Sequence, residues 1–145
     1  MSEPGKPKID RPYTSDAEID ELVRLFESCE LPGEYWTHRA HLAVATTYLG
    51  RYALSEATAR ARVHIRRYNE SRENLTGYHE TITVLFMRLV ARELESRPRA
   101  RAAFVNDLAA RYCVDWLLGY YSRDRLWSAE ARADFVPPDL RPLDF

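Results

Sequence analysis

Apolar residues recur at helical spacing in four successive segments of this chain, each bounded by a capping residue or a breaker, and that pattern leaves room for little besides an all-α fold. Ser15 stands three residues before Glu18, a capping-box signature, and Ile19, Leu22, Val23, Phe26 and Cys29 follow on one face. A first helix is therefore expected over roughly residues 16–30, stopped by Leu31-Pro32-Gly33. Thr37 is the expected N-cap of a second helix with His41, Val44, Ala45, Tyr48, Leu49 and Tyr52 as its stripe. Ser55 is placed to cap a third, whose apolar side is Leu54, Ala57, Ala61, Ile65 and Tyr68. Thr76 or Gly77 opens a fourth, with His79, Ile82, Phe86, Leu89 and Val90 facing inward.

Five glycines in 145 residues, with few runs of Val, Ile and Thr, argue against a β fold, while abundant Ala, Leu, Arg and Glu favour helices. Pro98 suits the first turn of a fifth helix carrying Phe104, Val105, Leu108, Ala109 and Tyr112, whose stripe extends to Cys113. A short buried helix is expected over 114–121 and a further one over 122–133. The run Phe135-Val136-Pro137-Pro138-Asp139-Leu140-Arg141-Pro142-Leu143 has too many prolines for a helix and too many hydrophobes for a free tail. The expected architecture is an up-down four-helix core with additional C-terminal helices and an extended Pro-rich tail. It forms a single helical domain over 14–145 behind a flexible arm over 1–13, where Pro4, Pro7 and Pro12 stand among small and polar residues.

The near-balance of charge, 21 Lys and Arg against 22 Asp and Glu, argues against a general nucleic-acid binder, which needs a basic surplus. No apolar stretch approaches the roughly 20 residues that span a bilayer, and the N-terminus carries no leader pattern. With two cysteines only, the chain reads as cytoplasmic with reduced thiols. A homo-oligomer is left open.

The chemistry concentrates in two motifs, Trp36-Thr37-His38-Arg39-Ala40-His41 and Gly77-Tyr78-His79-Glu80. Residues three apart on a helix lie roughly 60° apart around the axis, so His38 and His41 can point at a common centre. In an up-down bundle the second and fourth helices are parallel, which would bring His79 to the same end. Three imidazoles there would suit a divalent transition metal, Zn or Fe, with Glu80 or Glu34 as fourth ligand or proton acceptor. Water activation in hydrolysis or hydration of a small polar substrate then stands slightly ahead of Fe(II) and oxygen chemistry. A second reading drops the metal and uses His41 or His79 as general acid or base beside Tyr68 or Tyr78. A third, from another class, is a helical ligand-binding or interaction module whose histidines close a polar pocket or an interface.

Each residue also has a plainer reading. His38 can be an exposed first-turn residue, His41 a buried imidazole donating to a carbonyl, His79 a cap partner, and Glu80 a favourable first-turn charge. His64 reads as a surface residue. Arginines 60, 62, 66 and 67 form a solvated basic face or, less simply, an anion-binding wall. Tyr120, Tyr121, Trp116 and Trp127 read as core packing, with an interface next.

The strings WTHRAHL at 36–42, GYHET at 77–81 and FVPPDLRPL at 135–143 together resemble a family of small, uncharacterised bacterial helical proteins. The likeness spans roughly residues 20–143. It implies a single soluble domain of bacterial type and carries no activity, cofactor or catalytic assignment.

Overall fold

A computed structural model describes residues 6–96 and 100–145; Pro98, expected in the first turn of the fifth helix, lies outside the described residues. The chain is all-α, with no strand among the described residues. Its helices are α1 (Asp16–Glu27), α2 (His38–Arg51), α3 (Leu54–Ser71), α4 (Glu80–Ser96), α5 (Arg101–Arg111), α6 (Arg123–Leu126) and α7 (Ala129–Ala133), with 3-10 turns at Gly33–Tyr35 and Val114–Gly119. None is long and apolar enough to cross a membrane.

Local chemistry accounts for where most of these helices begin. Ser15 Oγ accepts from the Glu18 N–H, one of the orphan donors at the start of α1, and the Glu18 carboxylate reaches back to the Thr14 N–H ahead of the cap. Thr37 Oγ1 accepts from the Ala40 N–H in the same way at α2. The stretch 122–133 is two short helices rather than one, because Ser122 and Ser128 each cap their own. Ser55 caps nothing: α3 begins one residue earlier, after Ala53, which offers no side-chain cap. α5 is capped from outside, by Asp16 Oδ1 of α1 accepting from the Ala102 N–H.

α1 ends at Glu27, three residues before the expected stop, and Cys29 lies past it in the left-handed region at φ 62°. The backbone turns back there, with the Glu30 and Leu31 N–H groups donating to Leu25 O. Cys29 therefore leaves the apolar stripe. Cys113 leaves its own as well, exposed at the start of the second 3-10 turn.

Ile19, Val23 and Phe26 of α1, Leu42, Ala43 and Tyr48 of α2, and Leu85, Leu89 and Val90 of α4 form one core with Phe104, Val105 and Leu108 of α5. Burying each large member contributes roughly 1.5–3 kcal/mol. α2 runs antiparallel to α3, as the pairs Trp36–Tyr68, Tyr48–His64 and Tyr52–Arg60 show. It also runs antiparallel to α5, whose C-cap Tyr112 meets His38 while Arg101 meets Thr47. Tyr120, Tyr121 and Leu126 are buried beneath the C-terminal segment, where Trp127 stays 39 % exposed.

That segment is tied down group by group. Tyr121 donates to Val136 O, Arg125 to Pro137 O, and Ser122 donates through both N–H and hydroxyl to Asp139. Of the arm expected over 1–13, residues 6–13 lie against the body. Lys8 donates to Gly33 O, Ile9 N–H to Glu34 O, Arg39 to Asp10, and Tyr13 exchanges two hydrogen bonds with Asn106.

Candidate functional site

The WTHRAH motif folds as a helix start locked by its own side chains. With Thr37 as N-cap, Trp36 at the preceding position stacks on His41 in the next turn, 3.8 Å between ring centroids, the arrangement of a hydrophobic staple. Phe26 stacks on Trp36 in turn, 4.5 Å between ring centroids. His41 Nδ1 bonds to Thr37 O at 2.7 Å, so in the neutral ring that nitrogen carries the proton and Nε2 is an acceptor. His38 Nε2 bonds to Tyr112 O at 2.7 Å, which leaves Nδ1 as its acceptor. Neither remaining nitrogen bonds to another described group, and neither is sealed from solvent-sized access.

Both imidazoles line a cavity of ≈ 460 Å³ between α2, α3 and α4. Leu42, Val44, Ala45, Ala61, Ile65, Ile82, Phe86, Met87 and Val114 make its walls apolar, and Lys8 and Asp10 of the N-terminal segment lie at its edge. The Phe86 ring meets His38 edge-on, at 5.0 Å. Burial holds His41 neutral, down to about 4, against the opposing pull of the Thr37 carbonyl. It lowers His38 too, with the Tyr112 carbonyl working the other way. At neutral pH the cavity thus presents two uncharged acceptors in an apolar wall.

His79 does not join them. It is the residue before α4, where its Nδ1 accepts from the Ile82 N–H at 3.1 Å and its Nε2 bonds to Leu126 O at 2.6 Å. Both ring nitrogens are spent, and the ring sits edge-on to Trp127 with 7 % exposure. The expectation of three converging imidazoles fails on register. His38, the first residue of α2, meets Phe86, and Phe86 lies seven residues beyond His79, about 10 Å further along the axis of α4. Among the described residues no group of three or more His, Cys, Asp or Glu could hold a metal.

The proposed proton acceptors are also committed elsewhere. Glu80 takes three hydrogen bonds from Arg62, at 2.8, 3.2 and 2.7 Å, and one from Tyr78 at 2.5 Å; the Arg62 bonds hold its carboxyl below the usual range. Tyr78 is pushed up to about 12 by burial and by that carboxylate. Tyr68 donates to Leu31 O and is raised by burial. Glu34 holds Lys6 at 3.8 Å on the surface turn. His64, expected on the surface, is half-buried against Phe26 and Tyr48, 3.6 Å from Glu27.

The GYHET and FVPPDLRPL strings meet each other. Thr81 Oγ1 donates to Asp134 O and accepts from the Val136 N–H, next to the His79 cap. Their residue choice follows from this junction: a cap, an ion pair and a hydroxyl that anchors the following segment. Sequence reasoning passed over Phe86 and Met87 as cavity walls, since an apolar stripe gives no sign of where its packing leaves a gap. It also passed over Glu93, buried and bonded by Tyr112 and Arg111. The chain matches no protein-family model, no curated protein and no solved structure.

Proposed function

We propose that the protein binds a small, largely apolar molecule carrying a hydrogen-bond donor in the cavity between α2, α3 and α4. The observation that carries this is the pairing of an apolar chamber of ≈ 460 Å³ with two imidazoles, each tied at one nitrogen and open at the other. Its size falls in the usual range of small-molecule sites, roughly 300–1,000 Å³, and its few polar groups converge as orienting groups do. A hydroxyl or N–H on the ligand donates to His41 Nε2 or His38 Nδ1. The apolar remainder is taken from water by Leu42, Ile65, Phe86 and Met87.

Binding is favoured over acid/base turnover because His41, held down to about 4, is a weak base at neutral pH; a general base works best with its pKa near the operating pH. The metal-dependent reading needs a third ligand beside His38 and His41, and the described residues assemble none. A matched pair of probes tests the reading. 1-Naphthol should bind saturably and about fivefold or more tighter than naphthalene, the worth of roughly one hydrogen bond. In His41→Leu that preference should shrink while naphthalene still binds. Saturable binding of neither probe would sink the proposal.

A further inference from the structure

A second concavity, ≈ 510 Å³, opens between the C-terminal half of α3, the loop to α4 and α7. Two guanidinium groups line it, and each is laid over an aromatic ring: Arg66 4.6 Å from the Tyr78 centroid and Arg132 5.4 Å from that of Trp127. Stacking fixes the plane of a guanidinium while leaving its N–H edge unspent. Neither arginine pairs with a carboxylate among the described residues, in contrast to Arg62, which Glu80 occupies from the same neighbourhood. Asn69, 8 % exposed as a residue, lines the same pocket, and its carboxamide bonds to no other described group while staying open to solvent.

We propose that this pocket binds an oxyanion, the phosphate or carboxylate group of a small molecule, gripped by Arg66 and Arg132 with Asn69 donating to a third oxygen. The volume exceeds what a bare ion fills, so the anionic group belongs to a larger molecule. Glu70, the carboxylate on the rim, selects for a hydroxyl or amine on that molecule's remainder. The site shares no lining residue with the cavity beside His41, and the two readings stand or fall separately.

The test is a titration with inorganic phosphate, and in parallel with citrate, at constant ionic strength, following the Trp127 indole N–H by NMR because that ring lies under Arg132. A saturable shift with either anion is expected, phosphate or citrate marking which oxyanion is preferred. Arg66→Gln and Arg132→Gln should each raise the dissociation constant about tenfold, the loss expected of a charge-assisted hydrogen bond, in protein of native helicity. Arg60→Gln, which disturbs only the pair with Glu56 and the stacking on Tyr52, neither of them at this pocket, should leave it unchanged. A linear, unsaturating response to both anions overturns the proposal. So does equal affinity in the native protein and in both pocket variants.

Discussion

Replacing His79 by Ala removes three things at once, and their sum can be worked from the structure. The Ile82 N–H loses its acceptor at the start of α4, a cap whose loss typically costs about 1 kcal/mol. Leu126, fully buried, loses the donor to its carbonyl, a penalty of about 1–2 kcal/mol. The edge-on contact with Trp127 adds roughly 0.5 kcal/mol. The total is about 3 kcal/mol, which for a chain of this size lowers Tm by roughly 6–12 °C. His79→Asn should recover about 1 kcal/mol of it, because Asn is a strong N-cap but is too short to reach Leu126 as well. Urea and thermal melts followed by circular dichroism give both numbers. If His79→Ala melted with the native protein, its ring would not be structural, and it would return to the groups free for chemistry.

Other outcomes follow from the same contacts. His41 is neutral in the fold down to about 4 but protonates near 6.5 when unfolded. Its contribution is full above pH 6.5 and is lost as pH falls toward 4, up to about 3 kcal/mol. The slope between pH 6.5 and 4.5, a window above the carboxylates, should flatten in His41→Leu; an equal slope in both proteins would contradict the assignment. Glu80→Gln, breaking a pair in which Arg62 keeps 33 % of its side chain exposed, should cost about 2 kcal/mol, below the roughly 3–5 of a fully buried pair. Cys29→Gly should raise stability by about 0.5–1 kcal/mol, since φ 62° suits glycine; a loss in urea melts would show that the thiol contact to Arg67 O matters more. Ala45→Phe should abolish 1-naphthol binding by filling the cavity, with stability kept; a large destabilisation would mean that no gap exists there.

Where the sequence was legible, a local rule was at work. Ser15 with Glu18, and Thr37 with Ala40, satisfy helix-start donors within four residues, so α1 and α2 can be read directly. The stripe Phe86, Leu89 and Val90 of α4 is likewise a local periodicity. The cap role of His79 was legible only as its plainer alternative, because imidazole lies outside the usual set of Ser, Thr, Asp and Asn, and its second partner, Leu126, comes 47 residues later. The meeting of His38 with Phe86 depends on how far α4 is shifted against α2, and no spacing within either helix encodes that shift. α5 borrows its cap from Asp16, and Arg66 and Arg132 line one pocket only because α7 folds back over the loop after α3. The two histidines that do share a cavity, His38 and His41, are the pair that lie three residues apart.

Two-bond proton–nitrogen NMR of the imidazoles, recorded near neutral pH with and without 1-naphthol, addresses the central claim most directly. His41 should be neutral with the proton on Nδ1, and its Nε2 resonance should move on addition of 1-naphthol, while both nitrogens of His79 stay fixed. A protonated His41, or a 1-naphthol titration that leaves the Nε2 of His41 and the Nδ1 of His38 unmoved, would contradict the assignment of this cavity as a donor-selective binding site.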